Sequence, residues 1–115
     1  MKIVFYGKKK KPVVDFIEQL TSKDQAKILA CLKNIEELGF DCPRVEFRQI
    51  SGKLWEIKIQ AASAGYRIFY VTIQRKTIVL LHAYKKQSQK APKKEIDIAE
   101  KRLMEVLNDE NTYFK

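Results

Sequence analysis

The apolar residues of this chain change their spacing twice, and those changes fix which secondary structures it can build. Up to Leu38 they recur every three or four positions: Val13, Phe16, Ile17 and Leu20, then Ile28, Leu29, Leu32, Ile35 and Leu38. Such spacing lines one face of a helix. Two consecutive helices are expected, one opened by Pro12, the other by a Ser22–Gln25 capping box and stopped by Gly39. From Val45 the period becomes two. Val45, Phe47 and Gln49 alternate with Glu46, Arg48 and Ile50, and after a Ser51–Gly52 turn Leu54, Glu56 and Lys58 oppose Trp55, Ile57 and Ile59. Tyr66 to Ile73 and Thr77 to Tyr84 continue an antiparallel meander, with Gln74, Arg75 and Lys76 between them. Lys2 to Tyr6 is a further short strand. Pro92 opens a last helix with Ile96, Ala99, Leu103, Val106 and Leu107 on one face, and 108–115 reads as a frayed, flexible tail.

This order predicts an α+β fold: a helical hairpin and a C-terminal helix packed on a twisted antiparallel sheet of about four to five strands. A length of 115 residues suits one domain, 1–115. Hydrophobic residues make up 45% of the chain, which supplies a core and excludes a disordered basic peptide. Trp55 is read as part of that core. Cys31 and Cys42 match no zinc or redox spacing, and one histidine is too few for a Cys/His centre. No metal and no cofactor are expected, and the thiols are read as free in a reducing cytosol. The run Ile3 to Tyr6 is too short for a signal peptide, and Ile78 to Leu81 is too short to cross a bilayer. The expectation is a cytoplasmic protein without membrane contact.

Charge is distributed far less evenly than apolar residues. Between Glu56 and Glu95 there is no acidic residue, while nine of the 23 Lys and Arg fall there. The remaining basic residues balance the 14 Asp and Glu, so this one block carries the whole net charge of +9. A folded cationic surface attracts a polyanion, and nucleic acid is the expected partner.

Uninterrupted alternation in the last strand puts Ile78, Leu80, His82, Tyr84 and Lys86 on one face, opposite Val79, Leu81, Ala83 and Lys85. In the preceding strand Arg67 shares an apolar face with Phe69 and Val71, so it needs a partner: Glu56 or a bound anion. Each residue also has a structural reading: Arg67 in an ion pair with Glu56, His82 as a satisfied half-core histidine, Tyr84 packed on the last helix, and the lysines as a solvated face. Together they are the parts needed to cleave RNA without metal. The 2′-hydroxyl attacks the adjacent phosphate; a base takes its proton, cations hold the charge growing on phosphorus, and an acid protonates the leaving 5′-oxygen. Arg67 suits the phosphate oxygens and Tyr84 a base or phosphate. His82 suits acid or base, and a lysine crowded by cations is an alternative base. The absence of carboxylates from the block argues against two-metal chemistry.

The segments LWEIKI, YRIFYV and IVLLHAYKKQSQKAPKKEIDIAEKRL together resemble the RelE/HigB superfamily of type II toxin–antitoxin toxins, in its HigB-like, phage-derived branch. The specific part spans residues 54 to 103. The resemblance implies a RelE-like fold and a ribosome-dependent mRNA endonuclease. It also implies a cognate helix-turn-helix antitoxin (HigA-like), with operator DNA bound only through the antitoxin complex. It carries over Arg67 as the arginine of the YR motif and His82, Tyr84, Lys85, Lys86 and Lys90 as the LLHxxKKxxxK segment, with Arg67, His82, Tyr84 and Lys86 read as catalytic. Lys85 and Lys90, with Lys93 and Lys94 of the basic cluster and Arg48 and Lys53 on the preceding strand and turn, are read as RNA or ribosome contacts. The general base stays open, because the last helix has no histidine. Two alternatives fit the same scaffold: a ParE-like gyrase inhibitor, which would lack the basic His/Tyr cluster, and a non-catalytic basic RNA-binding module.

Overall fold

Ile78, Val79, Leu80 and Leu81 are each 0% exposed, so the strand that carries them needs neighbours at both edges and cover on both faces. The computed structural model, which describes residues 1–114, supplies all four. In chain order the described residues form β1 (Lys2–Phe5), α1 (Pro12–Glu18), α2 (Ser22–Leu38), a 3-10 turn at Gly39–Asp41, β2 (Glu46–Ser51), β3 (Leu54–Gln60), β4 (Gly65–Ile73), β5 (Thr77–Lys85), α3 (Lys93–Asn108) and α4 (Glu110–Phe114). The sheet order is β1-β5-β4-β3-β2. The meander from β2 to β5 is antiparallel, as the period of two predicts. β1 lies parallel to β5, with Lys2 opposite Thr77 and Phe5 opposite Leu80, so the sheet is mixed rather than purely antiparallel. The intervening helices carry the chain across the sheet between β1 and the meander.

Helices cover both faces. Val13 and Ile17 of α1 and Ile28, Leu32 and Ile35 of α2 pack on Ile57, Ile68 and Leu80. Ala99, Leu103 and Val106 of α3 pack on Leu54, Phe69, Val71 and Leu81 from the other side. The first cluster is tied by Asp24, 1% exposed, which accepts from the Tyr66 hydroxyl at 2.6 Å and from the Ser63 amide at 3.3 Å. Cys31 and Cys42 are buried free thiols on this side.

Three local expectations are corrected. The cap of α2 is Thr21, whose hydroxyl accepts from Asp24 N at 3.3 Å; Gln25 instead reaches back to the carbonyls of Glu18 and Leu20. The segment expected as a frayed tail is helical over Glu110–Phe114, with Lys115 outside the described residues. Tyr113, 9% exposed, stacks on Tyr6 at 6.3 Å, and its hydroxyl accepts from Gly7 N at 3.1 Å. Gly7 is required there: at φ +114° an added Cβ would lie 1.9 Å from Lys10 O.

The third correction is a β-bulge. Phe69 pairs with His82 but Tyr70 pairs with Leu80, which leaves Leu81 as an extra residue. Alternation restarts after it. Ile78, Leu80 and Ala83 lie in the α1/α2 core, whereas Val79, Leu81 and Tyr84 lie in the α3 core. His82 and Tyr84 therefore share a face, but the one under α3, not the face of Ile78 and Leu80.

The β4–β5 turn holds Gln74 at φ 54° and Arg75 at φ 58°, left-handed values that favour Asn and Gly. Arg75→Gly is expected to raise stability by about 0.5–1 kcal/mol, read from urea or thermal unfolding; an unchanged or lowered midpoint would show that the Arg75 side chain stabilises the folded state.

Candidate active site

The α3 face of the sheet carries a ladder of charges. Glu56 on β3 is 0% exposed and lies between cations from both neighbouring strands. Arg48 on β2 is directly opposite, with Nη2 at 3.4 Å from Oε2 and 3.5 Å from Oε1. Arg67 on β4 is diagonal to it, with Nε at 3.3 Å from Oε1. Lys58, opposite Arg67, pairs at 3.0 Å with Glu46. The structural reading of Arg67 as an ion pair with Glu56 thus describes what is present. A buried carboxylate demands such partners, since an isolated one costs several kcal/mol.

The pairing does not use Arg67 up. Its Nη1 donates to Tyr66 O at 3.0 Å, and among the described residues its Nη2 has no partner. Beside it stands Gly65. A Cβ built there would lie 3.2 Å from Gln60 Oε1 and 3.6 Å from both Arg67 Nη1 and Lys86 Cδ, so the Gln60, Arg67 and Lys86 side chains converge over this glycine. Tyr84 is the cross-strand neighbour of Arg67 and only 8% exposed. Burial, then the Glu56 carboxylate, pushes its phenol up to about 12 against the pull of Arg67 and Arg48. Its ring stacks on Phe69 at 5.5 Å and on His82 at 6.5 Å. Arg48 Nε is buried without a hydrogen-bond partner among the described residues.

His82 is held by α3. Its Nε2 lies 2.6 Å from Glu95 Oε1, and its Nδ1 lies 3.3 Å from Arg102 Nη1, which also donates to Leu81 O at 2.9 Å. A guanidinium only donates, so Nδ1 accepts and the proton sits on Nε2, facing the carboxylate. Burial first, with Arg102 adding, lowers the His82 pKa, while Glu95 opposes the shift. Both ring nitrogens are therefore engaged by protein, which matches the satisfied half-core reading. Arg102 lies over the Tyr6 ring at 5.3 Å, and the Tyr6 hydroxyl donates to Glu105 at 2.9 Å. This polar chain links the site to β1.

Of the sequence-predicted residues, Arg48, Arg67, His82, Tyr84 and Lys86 gather at this end of the α3 face. Lys85 shares parity with Ala83, on the α1/α2 side. Lys90, Lys93 and Lys94 are exposed in the 86–92 connection and the first turn of α3, with Lys93 paired to Asp97 at 3.1 Å. Lys53 sits on the β2–β3 turn, at the opposite end of β3 from Gln60, roughly 20 Å of strand away. Sequence reasoning passed over Glu95 and Arg102 as site residues. The available signal was their spacing of seven along α3, which puts both on the face of Ala99 and Leu103.

The family model described as "Phage derived protein Gp49-like (DUF891)" matches residues 15–104. The chain belongs to this family. The Gp49-like family is part of the RelE/ParE-like toxin superfamily and is associated with toxin–antitoxin toxins, which implies an antitoxin partner. No curated protein matches the chain. The matched span contains the whole meander, the charge ladder and most of α3. No described helix is long and apolar enough to cross a membrane.

Two outcomes are expected from this geometry. Glu56→Ala leaves Arg48 and Arg67 without their shared anion and should cost about 3 kcal/mol, less than a fully buried pair because Arg48 is 38% exposed; a loss below about 1 kcal/mol in urea unfolding would mean the ladder is not a structural element. The phenols of Tyr84 and Tyr66 are both pushed up to about 12 from 10.0, Tyr66 by its hydrogen bond to Asp24 and then by burial. A pKa raised by folding stabilises the fold fully below pH 10.0 and loses that contribution as pH rises towards 12. Circular dichroism should therefore fall together with tyrosinate formation across that window, and tyrosinate appearing in a fully folded protein near pH 10.0 would contradict it.

Proposed function

We propose that this chain is the toxin of a type II toxin–antitoxin pair, of the HigB-like kind, and acts as a metal-independent endoribonuclease that cuts mRNA on the translating ribosome. The observation that supports this reading is Arg67. Its Nε faces Glu56 and its Nη1 donates to Tyr66 O, its Nη2 has no hydrogen-bond partner among the described residues, Tyr84 is its cross-strand neighbour, and Lys86 approaches the same Gly65. A guanidinium already held in place meets the charge developing on phosphorus without reorganising.

In this mechanism the 2′-hydroxyl oxygen attacks the neighbouring phosphorus and the bond from phosphorus to the 5′-oxygen breaks. Arg67 holds the non-bridging oxygens. Tyr84, whose high pKa keeps it protonated at neutral pH, gives its proton to the leaving 5′-oxygen. A base takes the proton of the 2′-hydroxyl, and the cluster offers Lys86 for that place. His82 acts as a positioning residue: locked between Glu95 and Arg102, it stacks against Tyr84 and Phe69. Arg48, Lys90, Lys93 and Lys94 supply cationic contacts to the RNA or ribosome. The partner is a HigA-like helix-turn-helix antitoxin, operator DNA is bound only through their complex, and action on ribosomes is action in the cytoplasm.

A second reading, a non-catalytic RNA-binding surface, has one observation in its favour: both His82 nitrogens and two Arg67 nitrogens are already engaged within the protein. Tyr84→Phe separates the two, since it removes one oxygen and keeps the stacked ring. Wild type and Tyr84→Phe are induced in a bacterium and the 5′ ends of cellular mRNA are mapped. Wild type should produce new cuts inside translated frames, and Tyr84→Phe should lower them by about 10²–10⁴-fold with RNA affinity retained. Equal cutting by both would remove Tyr84 from the chemistry. Growth arrest with intact mRNA would point to a gyrase-type toxin, and no arrest to a binding module.

A further inference from the structure

The sheet face under α1 and α2 is not covered along its whole length. α2 stops at Gly39, whose φ of +64° turns the chain so that Phe40 lies over the sheet. Beyond Phe40 no described helix lines this part of the face. The uncovered part is an open groove of about 650 Å³ lined by Phe40, Phe47, Trp55, Tyr70, Thr72 and Arg75. Phe40 is 48% exposed, among the largest apolar exposures of the described residues. None of these side chains belongs to the charge ladder. Trp55 and Tyr70 alternate with Glu56 and Phe69 along their strands, so the groove is on the opposite side of the sheet from Arg67 and Tyr84.

Three features decide what such a groove would hold. Phe47 packs edge to face on Phe40 at 83° and on Tyr70 at 82°, while Phe40 and Tyr70 are stacked on each other at 29° and 6.2 Å, so the three rings close on one another as an apolar concavity and not as a row of open parallel slots for bases. Their centroids are 5.2 to 6.2 Å apart, the spacing of aromatic rings in mutual contact, so together they form one continuous apolar surface. At the end marked by the two hairpin turns stand Lys53 and Arg75, close enough together to line a common depression with Thr72 and Gln74. Among the described residues neither has a carboxylate within salt-bridge distance. Arg75 is held there in a left-handed conformation that glycine would adopt at lower cost, so the site keeps a cation against a local backbone penalty.

We propose that this groove is the docking site for an amphipathic helix of a partner protein, its apolar side chains against Phe40, Phe47 and Trp55 and its carboxylates over Lys53 and Arg75. Helix-in-groove recognition uses this combination of apolar anchors and charged rim. On the toxin reading, on which this proposal rests, the partner is the antitoxin. It grips the toxin from the face behind the catalytic cluster.

Trp55 is the one tryptophan of the chain, so the groove carries its own probe. The antitoxin encoded with this chain is titrated into purified wild type, Phe40→Ala and Arg75→Glu, with Trp55 emission and calorimetry as readouts. Both substitutions lie at exposed positions; the unfolding midpoint of each variant is measured alongside, and Arg75→Glu carries the test if Phe40→Ala fails to fold. The expected result is a blue shift of Trp55 in the wild type and binding weakened about tenfold or more in each variant. Each variant expressed alone should still arrest growth, and co-expressed antitoxin should rescue it poorly. Three results would overturn the proposal. Equal affinity in all three proteins would put the antitoxin elsewhere on the toxin. Short single-stranded RNA that shifts Trp55 and loses affinity in Phe40→Ala would make the groove a nucleic-acid surface. A wild-type chain that neither arrests growth nor binds the co-encoded protein would remove the toxin reading itself, and the partner assignment with it.

Discussion

A carboxylate with no solvent exposure stands in the middle of this sheet, and the rest of the site is arranged around it. Glu56 is tolerable only because β2 and β4 each bring an arginine to it. The arrangement works in both directions. The carboxylate pins the two guanidinium groups in fixed orientations, and the guanidinium groups supply the partners that a carboxylate under an apolar helix layer needs. Slipping either strand by one residue would turn its arginine to the other face and leave Glu56 alone, so the ladder also specifies register. Arginine suits this task better than lysine, because a planar fork can be held at one nitrogen and still present another.

The candidate site is assembled from two strands and closed by a helix. β4 and β5 deliver Arg67 and Tyr84 as cross-strand neighbours, the connection after β5 delivers Lys86, and Gly65 lets the Arg67, Lys86 and Gln60 side chains approach one another. α3 then fixes His82 through Glu95 and Arg102. The imidazole becomes a wall of the site, stacked with Phe69 and Tyr84, instead of a free acid or base. The tie from Tyr113 to Gly7 and from Tyr6 to Arg102 extends this wall to the far edge of the sheet.

Much of this was legible in the sequence. Period alone located the helices and the meander, because a half-buried helix and a half-buried strand each write their own repeat. The acid-free block and the misplaced Arg67 point to the end of the sheet where the structure gathers Arg67, Tyr84 and Lys86, and Glu56 is one of the two partners that the sequence offers Arg67, beside a bound anion. What could not be read was set by contacts distant in sequence. The bulge at Leu81 leaves no mark on composition, yet it moved His82 and Tyr84 to the other face. The parallel pairing of β1 depends on a crossover, not on the four residues of the strand. The ordering of α4 comes from one tyrosine finding Tyr6 and Gly7 more than a hundred residues earlier. Basic residues near one another in sequence were also scattered by the pleat: Lys85 faces away from Lys86, and Lys53 lies at the far end.

The pleat has one more consequence. Trp55 and Glu56 are successive residues, as are Phe69 and Tyr70, so the aromatic groove and the charge ladder share two strands and are separated only by the thickness of the backbone. A ligand that shifts or stiffens β3 and β4 from one side acts on the same peptide units that aim Arg67 from the other. Linkage then makes the effect mutual: whatever factor a bound helix imposes on RNA affinity, RNA must impose on the affinity for that helix. A sheet built this way is a two-sided lever, and a toxin loaded with its target would by that rule meet its antitoxin on altered terms.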